Sequence, residues 1–378
     1  MVVRSIRWPT PCGAVRSEPR ASDMVSPVAR GTSEARTRAT TPARMPSLSS
    51  IRAHAGACML YVLLLLAPRA TFAQQAAAND SLRVPTWAFP GRSADLPLIV
   101  PPFDSTKPLR IPGSARSFTL AQVRDQLRPP DWQPRSHPAP PASVMRARAD
   151  VRYACGYCHL PDGGGRSENA TLAGLSSAYI VRQVEAFRSG ARRGAGAAGP
   201  VANMIAVSTL ANDEEIVAAA RYFTRLRPRA RYRVAERAMI PAMYEAGGLY
   251  AERAGADSEP IAGRLLEMTE SLERHELRDP DERFVTFVAP GTIALGRQLA
   301  LGAPASPSCA SCHGAGLRGT RVAPPIAGRS AAYILRQLLA FRTGARANVG
   351  ADTMRVTTAS LSVAQMVALA AYVGSLAP

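Results

Sequence analysis

The chain has 378 residues, enough for two or three domains, and a formal net charge of +18 that is carried almost entirely by arginine, since Lys107 is the only lysine. Residues 1–73 hold ten Arg against three acidic residues, so +7 of the charge lies there and +11 is spread along the rest. No run of basic residues is interleaved with aromatics, which excludes a typical nucleic-acid-binding protein and leaves an anionic surface or an acidic protein as partner.

The first 73 residues have the features of a leader. Residues 1–50 are rich in Arg, Pro, Ser and Thr and have no apolar periodicity, which predicts disorder, and Met45 is an alternative start. A basic stretch then leads to an apolar run over Ala57–Pro68 and to the small residues before Ala73, which is the layout of a secretory signal peptide. Because the run is too short for a comfortable membrane span, we expect export with cleavage near Ala73, and an uncleaved anchor is the alternative.

Four of the six cysteines lie beyond this leader, and they form two matching motifs. The motifs are Cys155-Gly156-Tyr157-Cys158-His159 and Cys309-Ala310-Ser311-Cys312-His313. Two thiols at this spacing can each form a thioether with one vinyl group of a haem, and the next residue brings an imidazole to the iron from the same side. The sequence therefore predicts two covalently attached haems c, with His159 and His313 as iron ligands. A structural zinc site or two disulfides are the alternatives.

A second segment is repeated at the same spacing in sequence as the two motifs. Residues 178–192 and 332–346 are identical at eleven of fifteen positions, and their offset of 154 equals the offset between the motifs. After a four-residue length difference, Asn212 aligns with Ser362, and each begins a capping-box pattern before an apolar helix that we predict over 216–226 and 366–376. Each copy is thus predicted to contain a haem motif, a loop, a helix, a Met-bearing loop and a terminal helix.

The aligned methionines are the candidate sixth ligands. Met204 and Met354 occupy the same repeat position, C-terminal to their haem motifs, and a His/Met pair raises the haem potential and suits electron transfer. Core packing is the alternative role of a Met. His137 and His275 have no equivalent in the other copy, so we expect surface or loop roles for them.

Repeated residues on the predicted helix are candidates for the haem surroundings. Tyr, Gln and Phe recur at spacings i, i+4 and i+8, which share a helix face. We expect the aromatic rings to pack against haem and the repeated Arg to pair with a propionate, with an ordinary helix contact as the alternative. The residues are Tyr179, Arg182, Gln183 and Phe187 in the first copy and Tyr333, Arg336, Gln337 and Phe341 in the second.

The order of these elements resembles class I cytochrome c, and the doubled form is similar to the dihaem bacterial cytochromes of the c-four type. The resemblance covers residues 145–228 and 290–378. It implies His159 and His313 as proximal ligands, Met204 and Met354 as distal ligands, and a role as an electron carrier. Two segments depart from that family: the Pro-rich residues 74–140 and the long insert 229–289.

We therefore predict an all-α fold with two tandem cytochrome c-like helical domains, a Pro-rich N-terminal extension and an irregular inter-domain insert. The predicted boundaries are 1–73 for the leader and signal peptide, 74–140 for the extended segment, 141–228 for the first domain, 229–289 for the insert and 290–378 for the second domain.

The predicted function is that of a periplasmic electron carrier without catalytic residues, placed in a respiratory or dehydrogenase chain. Its expected partners are redox proteins, namely a dehydrogenase or a terminal oxidase, and no nucleic acid. Two alternatives are a dihaem oxidoreductase of the peroxidase type and a cytochrome subunit of a membrane-associated dehydrogenase or oxidase complex. A peroxidase needs one haem with an open face, and the matched methionines argue against it.

Overall fold

The computed structural model describes residues 83–91, 104, 106–196, 199–246, 248–253, 255–302 and 308–378. The predicted leader, the signal peptide and the start of the Pro-rich segment lie outside these ranges. In the part of the chain that is described, no helix is both long and apolar enough to cross a lipid bilayer.

The Pro-rich extension has little regular structure but is anchored to the rest of the fold. The helices in its described part are single turns, the 3-10 turn Thr86–Ala88 and α1 (Leu120–Val123). A further single turn, α2 (Ala142–Met145), follows the extension, because the prolines before it fix φ and remove backbone donors. The Trp132 side chain is 2% exposed, and its Nε1 donates to the Leu277 carbonyl of the insert at 2.7 Å. The extension therefore packs on the insert through a buried aromatic contact.

The first repeat copy forms four helices: α3 (Cys155–His159), α4 (Ser177–Arg188), α5 (Gly199–Leu210) and α6 (Asp213–Thr224). The capping box at Asn212 is confirmed, since its side chain accepts from the Glu215 N–H while the Glu215 carboxylate accepts from the Asn212 N–H. Helix α6 begins directly after this cap, three residues before the predicted start. The predicted Met-bearing loop is wrong, because Met204 lies on α5.

The insert between the copies overturns the all-α prediction. Its elements are β1 (Tyr232–Glu236), β2 (Met239–Pro241), β3 (Met243–Glu245), β4 (Tyr250–Glu252), β5 (Ser258–Pro260), β6 (Leu266–Thr269), α7 (Leu272–Glu276) and β7 (Phe284–Val288). Five strands form a mixed sheet in the order β1-β7-β6-β4-β3, and β2 and β5 form a separate pair. Strand β7 is parallel to β1 and antiparallel to β6.

The prediction of an irregular insert is also wrong for its charged residues. Glu267 is 2% exposed and lies on β6. His275, expected in a surface or loop role, is also buried, and its Nδ1 lies 2.7 Å from Glu282 Oε1. These polar residues are buried because each has a hydrogen-bonding partner within the fold.

The second repeat copy is wholly helical, with helices at α8 (Thr292–Leu301), α9 (Cys309–His313), α10 (Ala331–Arg342), α11 (Asp352–Ala359) and α12 (Val363–Ser375). The capping box at Ser362 is confirmed at the start of α12. Met354 lies on α11, so the Met-bearing loop is wrong in this copy too. Helix α8 corresponds to residues 138–147 of the first copy, where Pro138, Pro140 and Pro141 leave the single turn α2.

Candidate haem-binding sites

The first Cys-x-x-Cys-His motif forms the short helix α3, and its imidazole is held in one orientation. His159 is 8% exposed, and its Nδ1 lies 2.8 Å from the Ala170 carbonyl oxygen. This hydrogen bond leaves Nε2 as the nitrogen available to a metal. Burial lowers the pKa of His159, which favours the neutral imidazole that iron binds.

A large cleft connects this histidine with the aligned methionine. The cleft encloses about 1180 Å³ including its open mouth, and both His159 and Met204 line it. An adjoining cavity of about 770 Å³ is lined by Cys155 and Cys158 together with the same His and Met. Cofactor sites are concave and mostly apolar with a few convergent polar groups, and the residues that line these two adjoining spaces have that character.

The predicted helix residues also face this cleft. Tyr179, Gln183 and Phe187 line it from the first copy, as expected. Residues of the second copy line it as well: Tyr333, Arg336 and Gln337. Arg182, which we expected to pair with a propionate, is exposed and does not line the cleft.

The second motif forms α9 and repeats the local geometry of the first. His313 is 8% exposed, and its Nδ1 lies 2.7 Å from the Pro324 carbonyl oxygen. Burial lowers the pKa of His313, as it does for His159. Cys309 and Met354 both pack against the main apolar cluster of this copy. The structure therefore places a thiol and the candidate sixth ligand of the second copy around one core.

The four cysteines in the described part of the chain, Cys155, Cys158, Cys309 and Cys312, have free thiols rather than the disulfides of the alternative interpretation. Burial raises the pKa of Cys155 to about 12. Among the residues described, no group of three or more His, Cys, Asp and Glu side chains is arranged to hold a metal ion.

A ring of repeat-related side chains joins the two copies. The Arg192 guanidinium donates to Gln183 Oε1 and Gln337 Oε1, both at 2.9 Å. The Arg346 guanidinium donates to the same two oxygens at 2.8 and 2.9 Å. Each arginine also donates to the tyrosine of the opposite copy, Arg192 to Tyr333 and Arg346 to Tyr179. The contact is therefore approximately two-fold symmetric, and it uses residues that the repeat duplicates.

Arg192 and Arg346 were not among the residues predicted for the site, although both end the Gly-Ala-Arg stretch that the repeated segment duplicates. Each guanidinium lies over the Phe of its own copy, at 4.5 Å for Phe187 and 4.4 Å for Phe341. An isolated antiparallel β-bridge between Arg192 and Arg346 adds a backbone contact between the copies.

Four arginines of the described residues, three buried and one half-buried, lack acidic partners. No carboxylate in the described ranges lies within 4.0 Å of the guanidiniums of Arg192, Arg329, Arg336 or Arg346. Burial lowers the pKa values of Arg192, Arg329 and Arg336, and Arg346 Nε has no hydrogen-bond acceptor. Buried charge is costly unless it is paired, so Arg192 and Arg336, which line the cleft, suit an anionic group there, such as a haem propionate.

Comparisons with known proteins find c-type cytochromes among the proteins similar to this chain. A solved structure of reduced recombinant cytochrome c4 from Pseudomonas stutzeri is 23% identical, covers 59% of this chain and 93% of that chain, and has a TM-score of 0.38.

The sequence matches are more extensive. The family model for cytochrome c matches residues 293–377. Cytochrome c4 of Azotobacter vinelandii is 28% identical over 247 residues, which are 64% of this chain and 91% of that protein. The thiosulfate dehydrogenase electron acceptor of Stutzerimonas stutzeri is 29% identical over 222 residues, 58% of this chain and 77% of that protein. The chain is thus homologous to the cytochromes c4 over 64% of its length, and residues 293–377 match the cytochrome c family.

Proposed function

We propose that the chain is an exported, periplasmic c-type cytochrome that carries two haems and transfers electrons between a donor and an acceptor protein. The observation that supports this most directly is the convergence of Cys155, Cys158, His159 and Met204 on one cleft system. The internal repeat supplies the same residue types again as Cys309, Cys312, His313 and Met354.

Each residue has a defined role in this proposal. The two cysteines of each motif would hold a haem through thioethers, and the His and the aligned Met would supply ligands to its iron. The haem supplies the one-electron chemistry. Arg192 and Arg336, which line the cleft without an acidic partner, bind propionates. The apolar lining excludes water, which together with His/Met ligation favours the reduced iron and raises the potential.

A haem count with ligand variants tests this proposal. The exported protein should contain two covalent haems per chain by alkaline pyridine spectroscopy and mass, and the oxidised protein should show the sulfur-to-iron band of Met ligation. Met204→Ala and Met354→Ala should each remove about half of that band, because each substitution removes one of two sulfur ligands. The control is Met239→Ala, since Met239 is 52% exposed on β2.

The outcomes separate the rival functions. One haem that lacks the band in the unsubstituted protein would contradict the carrier proposal and favour a dihaem oxidoreductase. A chain without covalent haem would contradict the proposal as a whole.

A thiosulfate dehydrogenase is the specific donor that the comparisons suggest, because one relative is named as the electron acceptor of such an enzyme. We expect thiosulfate and a thiosulfate dehydrogenase together to reduce both haems within seconds to minutes, and neither to do so alone. If both haems accept electrons from dithionite but not from this pair, the donor is a different dehydrogenase.

A further inference from the structure

We propose that the surface around Ser311 and Cys312 is the docking surface for an acidic redox protein, and that the extension and the insert close the equivalent surface of the first motif. The inference deepens the proposed function and rests on it, since it takes a haem to be attached at each motif. It follows from a difference between the two copies that the repeat alone does not predict.

The extension packs on the first motif beside Gly156. This glycine is buried, and a Cβ at its position would lie 3.4 Å from Pro129 Cγ of the extension and 2.6 Å from the Val144 carbonyl oxygen of α2, the turn that follows the extension. The backbone N–H of Ala154 donates to the Gln126 carbonyl at 2.9 Å, so the extension also bonds to the residue before the motif. The contact is closer than any residue with a side chain would allow.

The insert covers the same motif at Tyr157. The guanidinium of Arg278 lies 3.5 Å from the centroid of the Tyr157 ring, and its Nη1 donates to the Tyr157 carbonyl at 2.6 Å. Arg278 directly follows Leu277, the residue whose carbonyl accepts from Trp132 of the extension. Extension and insert therefore form one continuous cover over the first attachment segment.

The second motif is open by comparison. Ser311 and Cys312 are exposed, whereas the equivalent Tyr157 and Cys158 are half-buried. The turn after the second motif is also exposed at Ala315 and Gly316, and Val322 beyond it is 82% exposed. A small uncharged surface next to an attached haem suits the brief, weakly bound contact of redox proteins.

The charge of the second copy indicates the kind of partner that would dock on it. Residues 284–351 contain no Asp or Glu, although they contain seven Arg. Two of these, Arg318 and Arg321, are exposed in the loop that follows the motif. The first copy, residues 141–228, contains eleven Arg and seven acidic residues (net +4), whereas the second copy, residues 290–378, contains eight Arg and one acidic residue, Asp352 (net +7). A positive surface attracts and orients an acidic partner, so we expect docking on the second copy.

The test is a binding map that does not depend on electron transfer. The reduced, deuterated and ¹⁵N-labelled holoprotein is titrated at low ionic strength with the soluble domain of reduced cytochrome b5, used as an acidic redox probe. We expect amide shifts at residues 309–322 and none at 153–159. Shifts centred on the first motif, or no binding at all, would overturn the proposal.

Charge variants give the second arm. Arg318→Glu with Arg321→Glu should weaken probe binding by about tenfold or more, and the same two positions changed to Gln should give an intermediate loss. The matched control is Arg146→Glu, an exposed arginine directly after α2, the turn that packs on the first motif. An equal or larger loss in the control would overturn the proposal.

This result is separable from failure of the proposed function. Two haems with normal Met bands, combined with unchanged binding by the Arg318/Arg321 variants, would leave the electron carrier intact and reject this docking surface. Absence of covalent haem would reject both.

Discussion

Replacing Glu267 with glutamine should destabilise the point where the insert meets both repeat copies. The carboxylate is 2% exposed. Its Oε1 accepts from the hydroxyls of Ser167 at 2.8 Å and Ser330 at 2.6 Å. Its Oε2 accepts from the hydroxyl of Thr286 at 2.8 Å and, more weakly, from the Ala332 N–H at 3.4 Å. One side chain thus bonds to the first copy, the sheet and the start of α10.

The magnitude follows from these four bonds. Glutamine has the same shape, but it replaces Oε2 with an NH₂ group that cannot accept a hydrogen bond. A hydrogen bond to a charged group contributes about 1.5–3 kcal/mol and a neutral one about half as much. The three short bonds each lose roughly 1 kcal/mol, and the Ala332 N–H loses its acceptor. We therefore expect the free energy of unfolding to fall by about 3 kcal/mol.

Urea unfolding of the holoprotein, followed by far-ultraviolet circular dichroism, measures this change in the free energy of unfolding. The dependence of that free energy on urea concentration (the m-value) should stay the same. The matched control is Glu270→Gln three residues along, because Glu270 is 34% exposed and pairs with Arg233, which is 60% exposed. Such a surface pair contributes about 0–1 kcal/mol. Equal losses in the two variants would refute the assignment of Glu267 as the junction.

Two further changes test the packing and the electrostatics of the fold. Gly296→Ala should lower the free energy of unfolding, measured in urea, by at least about 2 kcal/mol, because the new Cβ would lie 1.9 Å from the Ala368 carbonyl oxygen on α12. The control is Gly199→Ala, which should be nearly neutral because the space around Gly199 is open. The hydrogen bond from Asp131 raises the pKa of His137 above its ordinary 6.5, so this stabilisation is fully present below about pH 6.5 and is lost as the pH rises through the folded-state pKa. The urea midpoint of unfolding should therefore decrease as the pH is raised from 5 to 9. A decrease of the same size in Asp131→Asn would contradict the assignment of this stabilisation to the His137–Asp131 pair.

The repeated helices were predictable because local and tertiary signals agree there. The caps at Asn212 and Ser362 satisfy exposed backbone donors with their own side chains, a local effect that the sequence records directly. The two aligned methionines were assigned to loops, but both lie on helices. Helix α5 contains Met204 although its sequence opens with Gly and Pro, and Pro is well tolerated in the first turn of a helix.

The sheet in the insert was not predictable by the same means. Strands β2 to β5 have three residues each, too few to show a period of two. Strand β6 contains Glu267, which looks like a surface residue until its three hydroxyl partners are known, and these come from segments 19 to 100 residues away. The burial of a carboxylate whose partners are remote in sequence cannot be predicted from the neighbouring residues.

The two variable positions of each Cys-x-x-Cys-His motif are explained by what covers the motif. Gly156 has no Cβ, which allows the Val144 carbonyl to approach to a distance that Ala310 would forbid at the equivalent position of the second copy. Tyr157 offers a ring to Arg278, whereas its equivalent Ser311 has none. A cover of the same kind therefore cannot form over the second motif without changing both residues. The difference between Gly-Tyr and Ala-Ser thus accounts for one enclosed and one exposed attachment segment. In other respects the two copies share the capping boxes of their last helices and their paired arginines.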